Sequence, residues 1–124
     1  QLGTPDMRLP IQYALYYPER RFLAGDRVDF GKIARITFEN PDTDNFIGLK
    51  LAYEAGRIGG SMPTVFNAAN EKAVAKFLDR KIGFLEITDI IQYCMENHKV
   101  KENPSVSEIL EIEQWAYELI ENRW

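Results

Sequence analysis

From residue 42 onward the apolar positions recur at helical spacings, in four runs separated by glycine or proline. The first run carries Phe46, Leu49, Ala52, Tyr53 and Gly56, with Asp42-Thr43-Asp44 ahead of it as a supply of N-cap oxygens and Gly59-Gly60 at its end. Ser61, with Pro63 just inside, opens the second, whose stripe is Phe66, Ala69, Ala73 and Phe77 and which stops before Gly83. In the third, Ile87, Ile90, Ile91, Cys94, Met95 and His98 form one apolar face, and Pro104 breaks the chain after it. Ser105 with Glu108 reads as a capping box for the fourth, along which Ile109, Ile112, Ala116, Leu119 and Ile120 point one way. Each run is apolar on one side only, so none is stable as a helix alone in water. Together they predict a compact four-helix bundle over residues 42–124, with Phe66, Phe77, Ile91 and Leu119 facing inward.

The first 41 residues lack such a period. Gly3, Pro5 and Pro10 predict a strand end or loop that turns into a helix, with Pro10 in the first turn, where its missing N–H costs nothing. That helix runs from Ile11 to about Tyr17 and stops at Pro18. Between Pro18 and Pro41, Gly25, Gly31 and scattered charges interrupt short apolar pieces such as Ile36-Thr37-Phe38, which predicts an extended linker with at most one short strand. The fold class is therefore mainly α. No internal repeat or low-complexity tract is present.

Composition narrows the function classes. A chain of 124 residues that is 45% hydrophobic fits one domain with a folded core. The formal net charge of -4, with Arg20-Arg21 and Lys99-Val100-Lys101 as the densest basic runs, argues against a nucleic-acid partner. No apolar run approaches the roughly 20 residues that cross a bilayer, and the N-terminus lacks the order of a signal peptide, so no membrane partner is expected. Cys94 is the single cysteine, which excludes an internal disulfide and suits a reducing, cytoplasmic setting. A start at Gln1 rather than Met is expected of an excised or processed fragment, although a chain can be cut to start anywhere.

The candidate chemistry is sparse. Cys94 and His98 have the i, i+4 spacing of metal ligands, but two ligands make no site. Cys94 reads as core, and His98 as a residue near a helix C-terminus, where an imidazolium meets the dipole. Asp42, Asp44 and Asn45 resemble the start of a calcium loop, yet Ile47 and Tyr53 stand where its glycine and glutamate belong. Gly56-Arg57-Ile58-Gly59-Gly60 lacks the Lys-Ser/Thr of a phosphate loop. Asn67-Ala68-Ala69-Asn70-Glu71 puts two amides and a carboxylate beside core positions. A structural role is expected there, with backbone groups of the Gly59-Gly60 turn or the linker as partners. Asp6 is expected to cap the helix that follows it, and Arg8 to pair with a carboxylate.

Gly3-Thr4-Pro5-Asp6-Met7-Arg8-Leu9-Pro10-Ile11 and Asn67-Ala68-Ala69-Asn70-Glu71, in order with Tyr17-Pro18-Glu19-Arg20, Val28-Asp29-Phe30, Thr37-Phe38-Glu39 and Leu51-Ala52-Tyr53-Glu54-Ala55, resemble the end of the 1-deoxy-D-xylulose 5-phosphate reductoisomerase family. The resemblance runs the length of the chain, and the family's enzymes are much longer. It implies that residues 1–17 finish an α/β catalytic domain, 18–41 are a linker and 42–124 are a C-terminal helical domain. It further implies a parent enzyme that converts 1-deoxy-D-xylulose 5-phosphate to 2-C-methyl-D-erythritol 4-phosphate in isoprenoid-precursor synthesis. That enzyme uses NADPH and a divalent metal, magnesium or manganese, and is a cytoplasmic homodimer. Pro5 and Met7 fill the family positions that pack near the nicotinamide, a task that suits apolar side chains because hydride transfer needs a dry pocket and a thioether moulds to a flat ring. The metal ligands and substrate contacts lie upstream in the family. The chain is therefore expected to hold no catalytic or metal-binding residue, to be silent alone, and to have the remaining domains as partners. An independent helical interaction module without activity is the alternative, and the upstream reading frame decides between them.

Overall fold

The structure is a computed structural model that describes residues 3–124, and among them it contains helices and turns but no strand. It divides into two units, Gln1–Asn40 and Pro41–Trp124.

In the first unit, α1 spans Arg8–Tyr16 with Pro10 in its opening turn, and α2 is a single turn, Phe30–Ile33. This turn corrects the sequence expectation for residues 18–41, which allowed a short strand and no helix. Asp29 causes it: its carboxylate accepts from the Lys32 backbone N–H at 3.2 Å. A four-residue helix leaves no periodic trace, so only the cap could have announced it. No described residue of this unit is buried, and Ile11, Leu15, Phe22, Phe30 and Phe38 are all exposed. Its described residues form no core of their own.

The second unit is the predicted bundle: α3 (Ile47–Ile58), α4 (Met62–Leu78), α5 (Glu86–Asn97) and α6 (Val106–Glu121). Helix α4 packs against each of the other three, and its small face of Ala69 and Ala73 lets their backbones approach. The α5 stripe is as predicted, with Ile90, Ile91, Cys94 and Met95 buried, and on α6 Ala116 and Ile120 are buried. The Ser105–Glu108 capping box is present. Burial pushes the Cys94 thiol up to about 11, so it is a core side chain in the neutral form.

Two faces differ from the periodicity. On α3 the buried residues are Leu51 and Ala55, while Phe46, Leu49 and Tyr53 are exposed. The inward line of this helix runs through Gly48, Leu51, Ala52 and Ala55, one helical edge away from the line of Leu49 and Tyr53. Asp42 caps the turn before α3 by accepting from the Asp44 and Asn45 backbone N–H groups, and α3 itself starts without a side-chain cap. On α4 the face is rotated so that Val65 and Lys76 are buried, and Phe66 and Phe77 are only half-buried. Phe77 meets Phe84 edge-on at 5.8 Å. The buried Lys76 ammonium donates to Glu121 Oε2 at 3.0 Å and to the Trp124 carbonyl at 3.1 Å. Glu121 also takes Lys72 at 2.7 Å, and these two lysines hold its carboxyl down to about 2.

Between α3 and α4 the chain turns through Gly59 and Gly60, both at positive φ. Ser61 follows as the residue preceding α4, but its side chain makes no cap bond. Its hydroxyl, fully buried, instead lies 2.7 Å from His98 Nε2 and accepts from the Lys101 backbone N–H at 2.8 Å, while the Ser61 backbone N–H donates to the Lys101 carbonyl at 2.9 Å. His98 also packs on Trp115 at 5.2 Å. Thus His98 serves as a neutral clasp rather than as a helix-end cation. Burial lowers its pKa, so the unfolded chain takes up the proton first. The resulting stability is present above the ordinary histidine value of about 6.5 and is lost as pH falls through the folded value. The thermal midpoint is therefore expected to fall between pH 7 and pH 5, and less so in His98→Gln. Equal slopes in scans of the two proteins would contradict the neutral clasp.

Candidate functional site

The segment predicted to approach chemistry, Gly3–Pro10, is a tight turn leading into α1. Asp6 Oδ1 accepts from the Arg8 backbone N–H at 3.0 Å, which fixes the first turn of the helix. The same carboxylate takes the Arg8 guanidinium as a fork, with Nε at 2.9 Å from Oδ1 and Nη2 at 2.6 Å from Oδ2. The expected pairing of Arg8 with a carboxylate holds, whereas Asp6 stands one residue ahead of the cap position, which Met7 occupies without a side-chain cap bond. The hydrogen bonds and charge of Arg8 lower the Asp6 pKa, and those of Asp6 raise that of Arg8. The pair is ionised across the whole working range.

Met7 lies between the two forked residues and is 71% exposed; Pro5 is exposed as well. They line an open depression of about 410 Å³ with Gly3, Thr4, Leu9 and Pro10. Its polar side chains are both engaged, Asp6 by Arg8 and the Thr4 hydroxyl by the Asp26 carbonyl, and the rest of its wall is apolar. Such a surface can seat a flat apolar ring and exclude water from one side of it, and it offers no nucleophile or proton-transfer group.

The other candidates resolve into structure. Asn67 donates to Glu71 Oε1 at 3.3 Å across one turn of α4. Glu71 Oε2 lies 3.5 Å from the Tyr117 hydroxyl, which is bonded to Glu113 at 2.9 Å. These partners are side chains of α4 and α6, not backbone groups of the Gly59-Gly60 turn as expected. Burial, and then the two carboxylates, push the Tyr117 phenol up to about 12. Cys94 sits in the core while His98 is bonded to Ser61, so they do not converge as ligands. Among the described residues no group of three or more His, Cys, Asp or Glu could hold a metal ion. A divalent cation does not fit the side chains found here.

Sequence reasoning passed over one surface. Phe46, Ile47, Leu49, Phe84, Leu85 and Ile87 line a groove of about 660 Å³ where α3 and α5 begin. The signal was available in Phe84-Leu85, an apolar pair after Gly83 that belongs to no predicted stripe.

A four-helix unit preceded by an open segment whose described residues form no core defines the class as a small helical domain with an N-terminal extension. The sequence matches the family described as the DXP reductoisomerase C-terminal domain over residues 2–119, and the chain belongs to that family. It is 64% identical over 124 residues to the 1-deoxy-D-xylulose 5-phosphate reductoisomerase of Agathobacter rectalis, covering 100% of this chain and 33% of that protein. The counterpart from Lachnospira eligens is 60% identical with the same coverage. The chain thus spans about a third of the length of these curated relatives. Among solved structures, the Zymomonas mobilis reductoisomerase in complex with NADPH superposes with a TM-score of 0.83 at 39% identity, over 98% of this chain and 32% of that one. A DOX-P reductoisomerase in complex with NADPH, fosmidomycin and magnesium gives 0.82 at 34% identity, with coverage of 98% and 32%.

Proposed function

We propose that this chain is the C-terminal third of an NADPH-dependent reductoisomerase that converts 1-deoxy-D-xylulose 5-phosphate to 2-C-methyl-D-erythritol 4-phosphate. The observation that carries this reading is a 64% identity spread over all 124 residues, rather than one shared motif. In it, residues 1–17 complete a catalytic domain, 18–41 form a linker and 42–124 are the C-terminal helical domain. The exposed apolar residues of a unit whose described residues form no core are what a segment completed by other domains would carry. Pro5 and Met7 form the edge that meets the nicotinamide of NADPH. The divalent metal, magnesium or manganese, is held by residues of the preceding domains. The whole enzyme is a cytoplasmic homodimer. The α3–α5 groove also suits the alternative, a helical interaction module, and the reading frame preceding Gln1 separates the two.

Kinetics of the full-length enzyme test the assignment. Met7→Ala should weaken NADPH use by the loss of one buried apolar contact, about 1–3 kcal/mol, or roughly 5- to 150-fold in efficiency, since about 1.4 kcal/mol is tenfold. Metal affinity should hold steady, because a thioether is a poor ligand for magnesium. Unchanged kinetics with NADPH varied at saturating metal and substrate would return Met7 to a packing role.

A further inference from the structure

Alternate residues of the turn do different work. Thr4 Oγ1 donates to the Asp26 carbonyl at 3.2 Å, and the Asp6–Arg8 fork lies over Gly25. A Cβ at Gly25 would stand 3.8 Å from Arg8 Nη2 and 4.0 Å from Asp6 Oδ2. Gly25 adopts a φ of +148°, which side-chain-bearing residues rarely take. Thr4, Asp6 and Arg8 are thus the fastened positions, and Pro5 and Met7 between them are left exposed.

We propose that Asp6 and Arg8 are positioning residues: their fork, seated on Gly25, sets the pitch of the turn and thereby the distance and tilt at which Pro5 and Met7 meet the nicotinamide. This inference rests on the reading of Met7 given above. An exposed ion pair contributes little to stability, so its worth here is geometric. A two-pronged guanidinium–carboxylate contact fixes direction as well as distance, whereas a lysine ammonium fixes only distance. Misplacement of a reacting group by about 1 Å can cost on the order of 100-fold in rate.

The full-length enzyme carrying Arg8→Lys, Asp6→Asn or Met7→Ala provides the test, assayed with NADPH and with NADPH deuterated at the transferred hydrogen. In Arg8→Lys, kcat is expected to fall roughly 10- to 100-fold while the isotope effect on kcat rises, because a misaligned hydride step becomes more rate-limiting. Thermal midpoint and magnesium affinity should stay within error of the parent. Asp6→Asn keeps an acceptor for the Arg8 backbone N–H and should show the same signature more weakly. A fall in kcat with an unchanged isotope effect and a lowered thermal midpoint would overturn the proposal, since that is what loss of folded enzyme alone produces. If Met7→Ala impairs NADPH use and both fork variants behave as the parent, the fork is refuted and the Met7 assignment survives. If Met7→Ala is also without effect, both fall.

Discussion

Truncating Ile90 to alanine should destabilise the bundle by about 2–5 kcal/mol, through lost burial and the cavity left behind. Ile90 is fully buried in one cluster with Val65, Cys94 and Ile120, so three helices lose contacts together. Against a typical stability of about 5–15 kcal/mol, that is enough to populate the unfolded state under mild denaturant. Urea unfolding of the 124-residue chain, followed by helical circular dichroism at constant m-value, measures it. The choice of residue comes from the structure. The helical stripe pointed to Phe77, but Phe77 is half-buried at the outer side of α4, and Phe77→Ala should cost only about 1–2 kcal/mol, near the centre of the distribution for point mutants. A larger loss at Phe77 than at Ile90 would show that the rotation of α4 is wrong.

Gly60→Ala should be comparably damaging for a different reason. Gly60 has a φ of +55°, a region that costs an alanine about 1–2 kcal/mol. Its new methyl would also overlap the Lys101 carbonyl oxygen, a backbone atom already bonded to the Ser61 N–H. Overpacking of this sort adds about 1–3 kcal/mol, for a total of about 2–5 kcal/mol. Gly56→Ala is the matched control. Nothing lies within 4 Å of a Cβ there and the residue is inside α3, so helix propensity should give a gain of about 0.5–1 kcal/mol. Opposite signs in parallel melts are expected; equal losses would mean that the α3–α4 turn does not rest on residue 101.

How much was legible in the chain varied with the kind of signal. Helices α5 and α6 could be read to their buried residues, because each has one apolar face and the period leaves no choice. The Ser105–Glu108 cap was equally plain, since both partners lie within four residues of one another. The fork between Asp6 and Arg8 is local in the same sense. Pro5 and Met7 as a candidate site came only from family resemblance, for an exposed proline and methionine have no chemistry that composition or spacing would reveal.

Local order, then, followed from sequence by itself: four amphipathic helices, their breaks at glycine and proline, the cap of α6, and a first segment without a period. These depend on interactions within a turn or two, and each residue carries its own share. Only the tertiary structure decided which face of α3 turns inward and that Lys76 is buried on Glu121 and the Trp124 carbonyl. It alone also showed that Ser61 forgoes capping to join His98 and Lys101 across 37 and 40 residues. A hydroxyl and an imidazole this far apart in the chain carry no mark of one another. Their pairing is selected by the demand that every buried polar group find a partner once the helices have packed.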